Sequence, residues 1–425
     1  MFDQIQDRLV RFLRWSEKYT KTDMVYLVKT GLWVNLSLVI STILGLLLSI
    51  VFANFVSPET YGLYQYLIAI AGLVSAVSLS GMNSAVSQAV ARGYEGVLKT
   101  AVRVQLKWSI IPSILSLIGG IYYFAHGTIE LGVGLLAIAL FTPFINAFNT
   151  YAAFLGGKRE FRREFYFLTS INASYYLGMF LVALFVKDAA VFIIANLGIN
   201  AIGMGFAYWK TCAIYKPNNA IDPDTINYGR HLSVLSAFGT ILTQLDSILV
   251  FHFLGAAQLA IYSFSTLLPE RAASLFNFLG VASLPKFANQ SLQEIQRNVL
   301  SKIARIAFAG LLATIIYVLI APFVFHLLFS RYVNAIHYTQ IYAPIIALLA
   351  ITNVSQGILT AKRMVREIYI VGILQPILLV CVQIPMLFAF GILGMLLARM
   401  ISDAIGILLT LFLLLTKKES SEVPI

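Results

Sequence analysis

The chain has 425 residues, of which 59% are hydrophobic and only 12% charged, with a formal net charge of +11 and a mean hydropathy of +0.83. Soluble domains carry about 25% charged residues, so this composition excludes a globule dressed in water. The Lys and Arg lie between apolar stretches instead of on one soluble face, which argues against nucleic acid as a partner. Two distant cysteines, Cys212 and Cys381, argue against a disulfide framework or a thiolate metal cluster.

In chain order, residues 1–30 come first, with six Lys and Arg and spaced apolar residues (Ile5, Leu9, Phe12, Leu13). That spacing is unlike the continuous core of a signal peptide and predicts a basic interfacial helix, with a solvated linker as the alternative. Twelve spans follow, at about 31–55, 62–80, 108–125, 131–155, 165–186, 190–209, 232–254, 260–284, 304–328, 338–360, 368–389 and 391–415. The expected fold is an all-α polytopic membrane protein. It divides into an N-terminal six-helix lobe (31–210), an inter-lobe linker (211–230), a C-terminal six-helix lobe (231–415) and a tail (416–425). Of the 30 Lys and Arg, 26 fall on one side of these spans, 2 on the other (Lys187, Arg331) and 2 within them (Arg271, Arg399). The positive-inside rule then places both termini and the linker in the cytoplasm.

The halves echo one another. Phe55-Val-Ser-Pro-Glu-Thr-Tyr-Gly62-Leu63-Tyr64 after span 1 matches Phe253-Leu-Gly-Ala-Ala-Gln-Leu-Ala260-Ile261-Tyr262 after span 7. Lys158-Arg159…Arg162 likewise matches Lys362-Arg363…Arg366 after spans 4 and 10. Both halves begin on the same side, so two lobes related by an axis along the membrane normal are expected around a central cleft.

The turn at 55–64 and its counterpart, with Asp246 upstream in Asp246-Ser-Ile-Leu-Val-Phe-His-Phe-Leu-Gly255, resemble the Wzx-type polysaccharide flippases. These belong to the multidrug/oligosaccharidyl-lipid/polysaccharide exporter superfamily. The resemblance implies a bacterial inner-membrane protein of O-antigen or other surface polysaccharide biosynthesis. Its implied cargo is an undecaprenyl-pyrophosphate-linked oligosaccharide moved from the cytoplasmic to the periplasmic leaflet. Alternating access coupled to Na⁺ or H⁺ is implied as well, in the manner of an antiporter. No cofactor is implied; the expected partners are the lipid-linked oligosaccharide, membrane lipids and other polysaccharide-assembly membrane proteins.

Charges at bilayer depth are costly and mark sites or pairs. Five are present, all in the C-terminal half: Asp246, Glu270, Arg271, Arg399 and Asp403. Asp246 and Arg399 lie about 12 Å from a span end, Glu270 about 15 Å and Asp403 about 18 Å, near the midplane. Arg399 and Asp403 are four apart, close enough to pair. They either neutralise each other or release Arg399 to an arriving pyrophosphate, which a planar guanidinium binds bidentately. Glu270 and Arg271 follow the helix-kinking Pro269 and point about 100° apart, with Arg271 the first choice for the lipid phosphate. Asp246 has no Lys or Arg within a helical turn, which makes it the candidate for cation coupling, a role the resemblance supports. The N-terminal spans offer amides, including Asn35, Gln65, Asn146, Asn149 and Asn172, and with Tyr175 and Tyr176 these could line a sugar path or make interhelical contacts.

No phosphate-binding loop, His-Glu-x-x-His or serine elbow is present, and nothing argues for catalysis. The rival expectations are a cation-coupled multidrug exporter of the same superfamily and a membrane glycan polymerase or ligase.

Overall fold

The structure is a computed structural model that describes residues 24–276, 287, 290–362 and 364–417, with side chains throughout except at 24–35, 38 and 235. The expected interfacial helix falls outside the described residues except for 24–30, which begin the first helix. Among the described residues all regular structure is helical: α1 (Met24–Phe55), α2 (Pro58–Val77), α3 (Met82–Ala91), α4 (Val97–Trp108), α5 (Ile110–Ala125), α6 (Ile129–Phe148), α7 (Thr150–Gly157), α8 (Phe161–Phe185), α9 (Ala189–Tyr215), α10 (Thr225–Leu254), α11 (Ala256–Ser274), α12 (Leu292–Leu328), a 3-10 turn (Ser330–Tyr332), α13 (Ala335–Tyr342), α14 (Ile345–Ala361) and α15 (Val365–Thr416).

Local chemistry sets the boundaries. Ser57 Oγ accepts from the Thr60 N–H at 3.1 Å and Pro58 opens α2, so this helix begins four residues before the expected span. Asp188 caps α9 by accepting from Ala190 N at 2.7 Å and Val191 N at 3.3 Å. Ser291 caps α12 through Glu294 N at 3.1 Å. The 52-residue α15 breaks at Gly391, whose φ of +57° and ψ of −132° favour a residue without Cβ. Beyond the break the chain folds back on itself, so that Ser402 Oγ donates to Gln375 O at 3.2 Å.

Among the described residues nine segments are long and apolar enough to cross a membrane, and a shorter apolar stretch, Val39–Phe55, lies in α1. With α1 and the charge-bearing α11 added and α15 counted as two, the described helices correspond to the twelve expected spans, the eighth as far as residue 276. Their outer faces are apolar and exposed, as at Ile111, Leu115 and Ile118 of α5 and Ile315, Leu319 and Phe323 of α12. Hydrocarbon, not water, suits such faces.

The chain divides into two compact units. One contains the described residues up to Ser49 with Val74–Ala237, and the other contains Ile50–Leu73 with Phe238–Ile425 as far as described. In the first, Met82, Val86, Ala89, Val97, Leu98, Tyr151 and Phe154 form the core. At its basic end Arg92 pairs with Asp222 at 2.6 Å, Lys158 pairs with Glu95, and Asn218 Nδ2 donates to Gly93 O at 3.1 Å. The Asp222 and Asn218 contacts tie the segment after α9 to the turn between α3 and α4, and the Lys158 contact ties the end of α7 to the same turn.

In the second unit Ile295, Val299, Ile303, Val354, Ile358 and Ile407 form a core. The segment 50–73 belongs here and not with the rest of the N-terminal span set, because aromatic packing holds it. Tyr61 lies 4.8 Å from Phe264, and Phe264 lies 4.1 Å from Tyr332, ring centroid to centroid. Asn54 Nδ2 donates to Leu328 O at 2.8 Å. The two repeated turns meet directly: a Cβ on Gly62 would lie 1.8 Å from the Ala256 carbonyl oxygen. That close approach explains the glycine at position 62.

Candidate functional site

Buried and half-buried polar side chains converge within the second unit around Arg399. The guanidinium, from the second half of α15, places Nη1 3.0 Å from Glu270 Oε1 on α11 and 3.5 Å from Asp246 Oδ2 on α10. Nη1 also donates to Tyr262 OH at 3.4 Å. Tyr262 in turn donates to Asp246 Oδ2 at 2.8 Å, and Tyr342 of α13 donates to Glu270 Oε1 at 3.2 Å. The guanidinium carbon stands 5.9 Å from the centre of the Tyr342 ring, close enough for a cation–π contact. Asp403 accepts from Gln375 Nε2 at 2.7 Å across the α15 hairpin. Four helices therefore contribute to one constellation.

The carboxylates differ in access. The Asp246 side chain is 6% exposed, against 37% for Glu270 and 28% for Arg399. Two acids share one guanidinium, which leaves one formal negative charge in excess before Asp403 is counted. A site of this kind suits exchange: an arriving anion can take Arg399 from a carboxylate, and an arriving cation can take the carboxylate.

Asp246 is thus not isolated. Its counter-charge comes from Arg399, far away in sequence, which a count of neighbours on its own helix does not detect. Arg399 does not meet Asp403 as the four-residue spacing suggested, because its long side chain reaches across to α10 and α11 and leaves the shorter Asp403 to Gln375. Arg271, the expected phosphate contact, is exposed on α11 and makes no ion pair among the described residues. Helical geometry turns it about 100° from Glu270, so only one of the two faces the constellation.

Of the amides, Gln65 lies on α2 in the second unit, where its Nε2 donates to Tyr61 OH at 2.5 Å, and the others belong to the first unit. Asn146 sits on α6 with its Nδ2 buried and without a hydrogen-bond partner among the described residues. Asn35 lies on α1, and its side chain is outside the described set. Asn172 Nδ2 donates to Ser41 Oγ at 2.8 Å and Tyr176 OH to Ser41 O at 3.1 Å, so both make interhelical contacts. Tyr262, Tyr342 and Gln375 escaped the sequence reading. Tyr262 stood out only as the end of the repeated turn, and no local pattern distinguishes Tyr342 or Gln375 from other polar residues in spans. Among the described residues, no group of three His, Cys, Asp or Glu is arranged to hold a metal ion.

A family described as "Polysaccharide biosynthesis protein" matches residues 27–291, well over half of the chain. The chain belongs to that family. No curated protein matches it significantly in sequence. Among solved structures it is similar to an inward-facing multidrug resistance MATE family transporter of the MOP superfamily. There the identity is 14% and the TM-score 0.65, over 90% of this chain and 96% of the other. It is similar to the lipid II flippase MurJ in an inward closed conformation, with 14% identity and a TM-score of 0.63, over 89% and 86%. A MOP superfamily transporter from Pyrococcus furiosus, whose binding pocket is described as of reverse polarity, matches with 14% identity and a TM-score of 0.55 over 92% and 97%. At this identity the likeness establishes the fold: this polysaccharide-family chain has the all-helical, two-lobed architecture of the MOP transporters.

Proposed function

We propose that this protein is a flippase that moves an undecaprenyl-pyrophosphate-linked oligosaccharide from the cytoplasmic to the periplasmic leaflet by cation-coupled alternating access, in service of cell-surface polysaccharide assembly. The proposed location is the bacterial inner membrane with both termini cytoplasmic, and other membrane proteins of polysaccharide assembly are the proposed partners. The family match supports the polysaccharide connection, and the likeness to a lipid II flippase supports a lipid-linked cargo. The observation that carries the reading is the single Arg399 held by two carboxylates of unequal exposure.

The proposed exchange begins at the more exposed partner. A pyrophosphate replaces Glu270 on Arg399, because Glu270 engages the guanidinium through Nη1 alone whereas two phosphate oxygens can engage its fork together. With the guanidinium now shared with the phosphate, Glu270 and Asp246 keep less counter-charge and favour a cation. Asp246, still held by Tyr262, is the proposed seat of the coupling H⁺ or Na⁺. Coupling of this kind shifts the inward–outward equilibrium only by the difference in ligand affinity between the two states. Arg271, exposed on α11, has no part in this exchange.

A multidrug exporter is the second reading, favoured by the excess of acid over base at the site and by the MATE-like fold. Proteoliposomes separate the two. Wild-type protein is expected to flip a fluorescent undecaprenyl-pyrophosphate glycan faster under an inward cation gradient. Arg399→Gln abolishes flipping, and Asp246→Asn removes only the stimulation by the gradient. Gradient-driven efflux of a cationic dye without any lipid flipping would replace the flippase with the exporter. Normal flipping by Arg399→Gln would retain the function and discard the site.

A further inference from the structure

The second unit holds a pocket of about 660 Å³, open at the surface and lined by Gln258 and Ile261 of α11 and by Val333, Asn334, Ile336, His337, Tyr338 and Gln340 in and before α13. It lies at the end of the unit opposite the basic segments. The helix α12 runs from its Lys- and Arg-bearing start at Leu292 to the 3-10 turn that precedes Asn334, and α14 runs back toward Lys362. The size falls within the ~300–1,000 Å³ of ordinary small-molecule sites.

The lining is specific in its chemistry. Among the described residues it contains no Lys, Arg, Asp or Glu, so it offers little to an inorganic ion. Three amides and an imidazole supply donors and acceptors side by side, which is what a hydroxyl group needs because it both donates and accepts. Ile261, Val333 and Ile336 add apolar wall, and the Tyr338 ring offers a face for the C–H side of a sugar ring. Gln340 is fixed through Nε2 to Val318 O at 3.0 Å, while Gln258, Asn334 and His337 are exposed.

We infer that this cavity is a binding site for neutral sugar residues. The inference rests on the flippase reading only for the origin of the sugar, namely the glycan of the lipid-linked cargo. The same two helices carry this cavity and the Arg399 constellation: Gln258 and Tyr262 lie on α11, and Gln340 and Tyr342 on α13. Along the α11 axis Gln258 stands about 6 Å before Tyr262 and about 18 Å before Glu270. An extended oligosaccharide whose pyrophosphate lies at Arg399 therefore has a second polar station further along the same helix. The cavity recognises the part of the glycan remote from the lipid, where Arg399 recognises its anchor.

The test is saturation-transfer NMR on the full-length protein, purified in a detergent without a sugar headgroup. The probes are a panel of neutral mono- to tetrasaccharides built from glucose, galactose, mannose, rhamnose and N-acetylglucosamine. At least one oligosaccharide is expected to receive saturation, and the exposed double variant Asn334→Ala/His337→Ala weakens its binding about tenfold through two lost hydrogen bonds. Gln258→Ala, from the other wall, is expected to weaken it as well. No transfer to any sugar in the panel, or transfer equal in wild type and variants, overturns the inference. Flipping measured in parallel keeps the two readings apart. Normal flipping without sugar binding removes the cavity's role alone, while variant-sensitive sugar binding without flipping removes the transport reading and leaves the sugar site standing.

Discussion

Removal of the Arg399 guanidinium provides the sharpest test of the site. Its Nη1 lies 3.0 Å from Glu270 and 3.5 Å from Asp246, so distance alone ranks Glu270 as the stronger partner. At an effective dielectric of ~20 the gross attractions are about 5.5 and about 4.7 kcal/mol. Exposure reverses that order. Glu270 is 37% exposed and Asp246 only 6%, so water that reaches the site screens the first pair more than the second. An accessible pair contributes at most about 1 kcal/mol, whereas stripping one partner from a buried pair costs about 3–5 kcal/mol. Arg399→Gln is therefore expected to destabilise the protein by about 3–5 kcal/mol. Adding Asp246→Asn removes the stranded charge and recovers about 2–3 kcal/mol, while adding Glu270→Gln recovers less than about 1 kcal/mol. Denaturant titrations of the single and double variants in mixed micelles give both coupling energies. A coupling to Glu270 equal to or larger than that to Asp246 would refute the assignment of Asp246 as the buried partner.

Gly62→Ala places a methyl group 1.8 Å from the Ala256 carbonyl oxygen, where only backbone could yield, so a loss of about 1–3 kcal/mol is expected. Gly72→Ala, which meets only the movable end of Gln244 at 2.9 Å, should cost clearly less in the same titration. Gly391→Ala forces a Cβ into φ +57° and ψ −132° and should lower the melting temperature, by a strain of about 1–3 kcal/mol; an unchanged value would remove strain as the reason for glycine there. At the basic end of the first unit, the hydrogen bond from Lys158 holds the Glu95 carboxyl below the ordinary glutamate range, and that from Thr225 lowers Asp222. Groups lowered on folding stabilise above their unfolded range and lose that contribution as pH falls through the folded value. Hydrogen-exchange protection at Gly96 and Asn218, corrected for intrinsic rates, should thus persist at neutral pH and fall away under acid, and equal protection at both would contradict the tie. Finally, a membrane-impermeant thiol reagent added outside spheroplasts of a strain expressing the protein, with both native cysteines replaced, should label Lys187→Cys and spare Lys216→Cys; the opposite pattern inverts the proposed orientation.

The helices were legible in the sequence because each apolar run carries its own signal, and the fold-back in α15 was legible too, since the hydrophobic stretch is twice the length of one span and contains Gly391. The extent of α2 was hidden by its polar start, where the cap at Ser57 lengthens the helix past the apolar window. At the site, the five charges were visible as exceptions in a greasy chain, but their pairing was not. Spacing along one helix predicts only neighbours on that helix, and it favoured Arg399 with Asp403. The actual partners depend on which helices pack together, a property of the whole lobe. A stricter use of charge balance would have come closer. Asp246 at bilayer depth needs a counter-charge, a proton or a cation, and the spans contain only Arg271 and Arg399 to supply the first. Arg271 is turned from Glu270 by one residue step, so placing Glu270 in the constellation already removes Arg271 from it and leaves Arg399 for both acids. The tyrosines then follow from the same requirement. A buried carboxylate shared with another acid for one guanidinium has lone pairs left over, and Tyr262 and Tyr342 each donate to one of the two acids without adding a charge that the membrane would penalise.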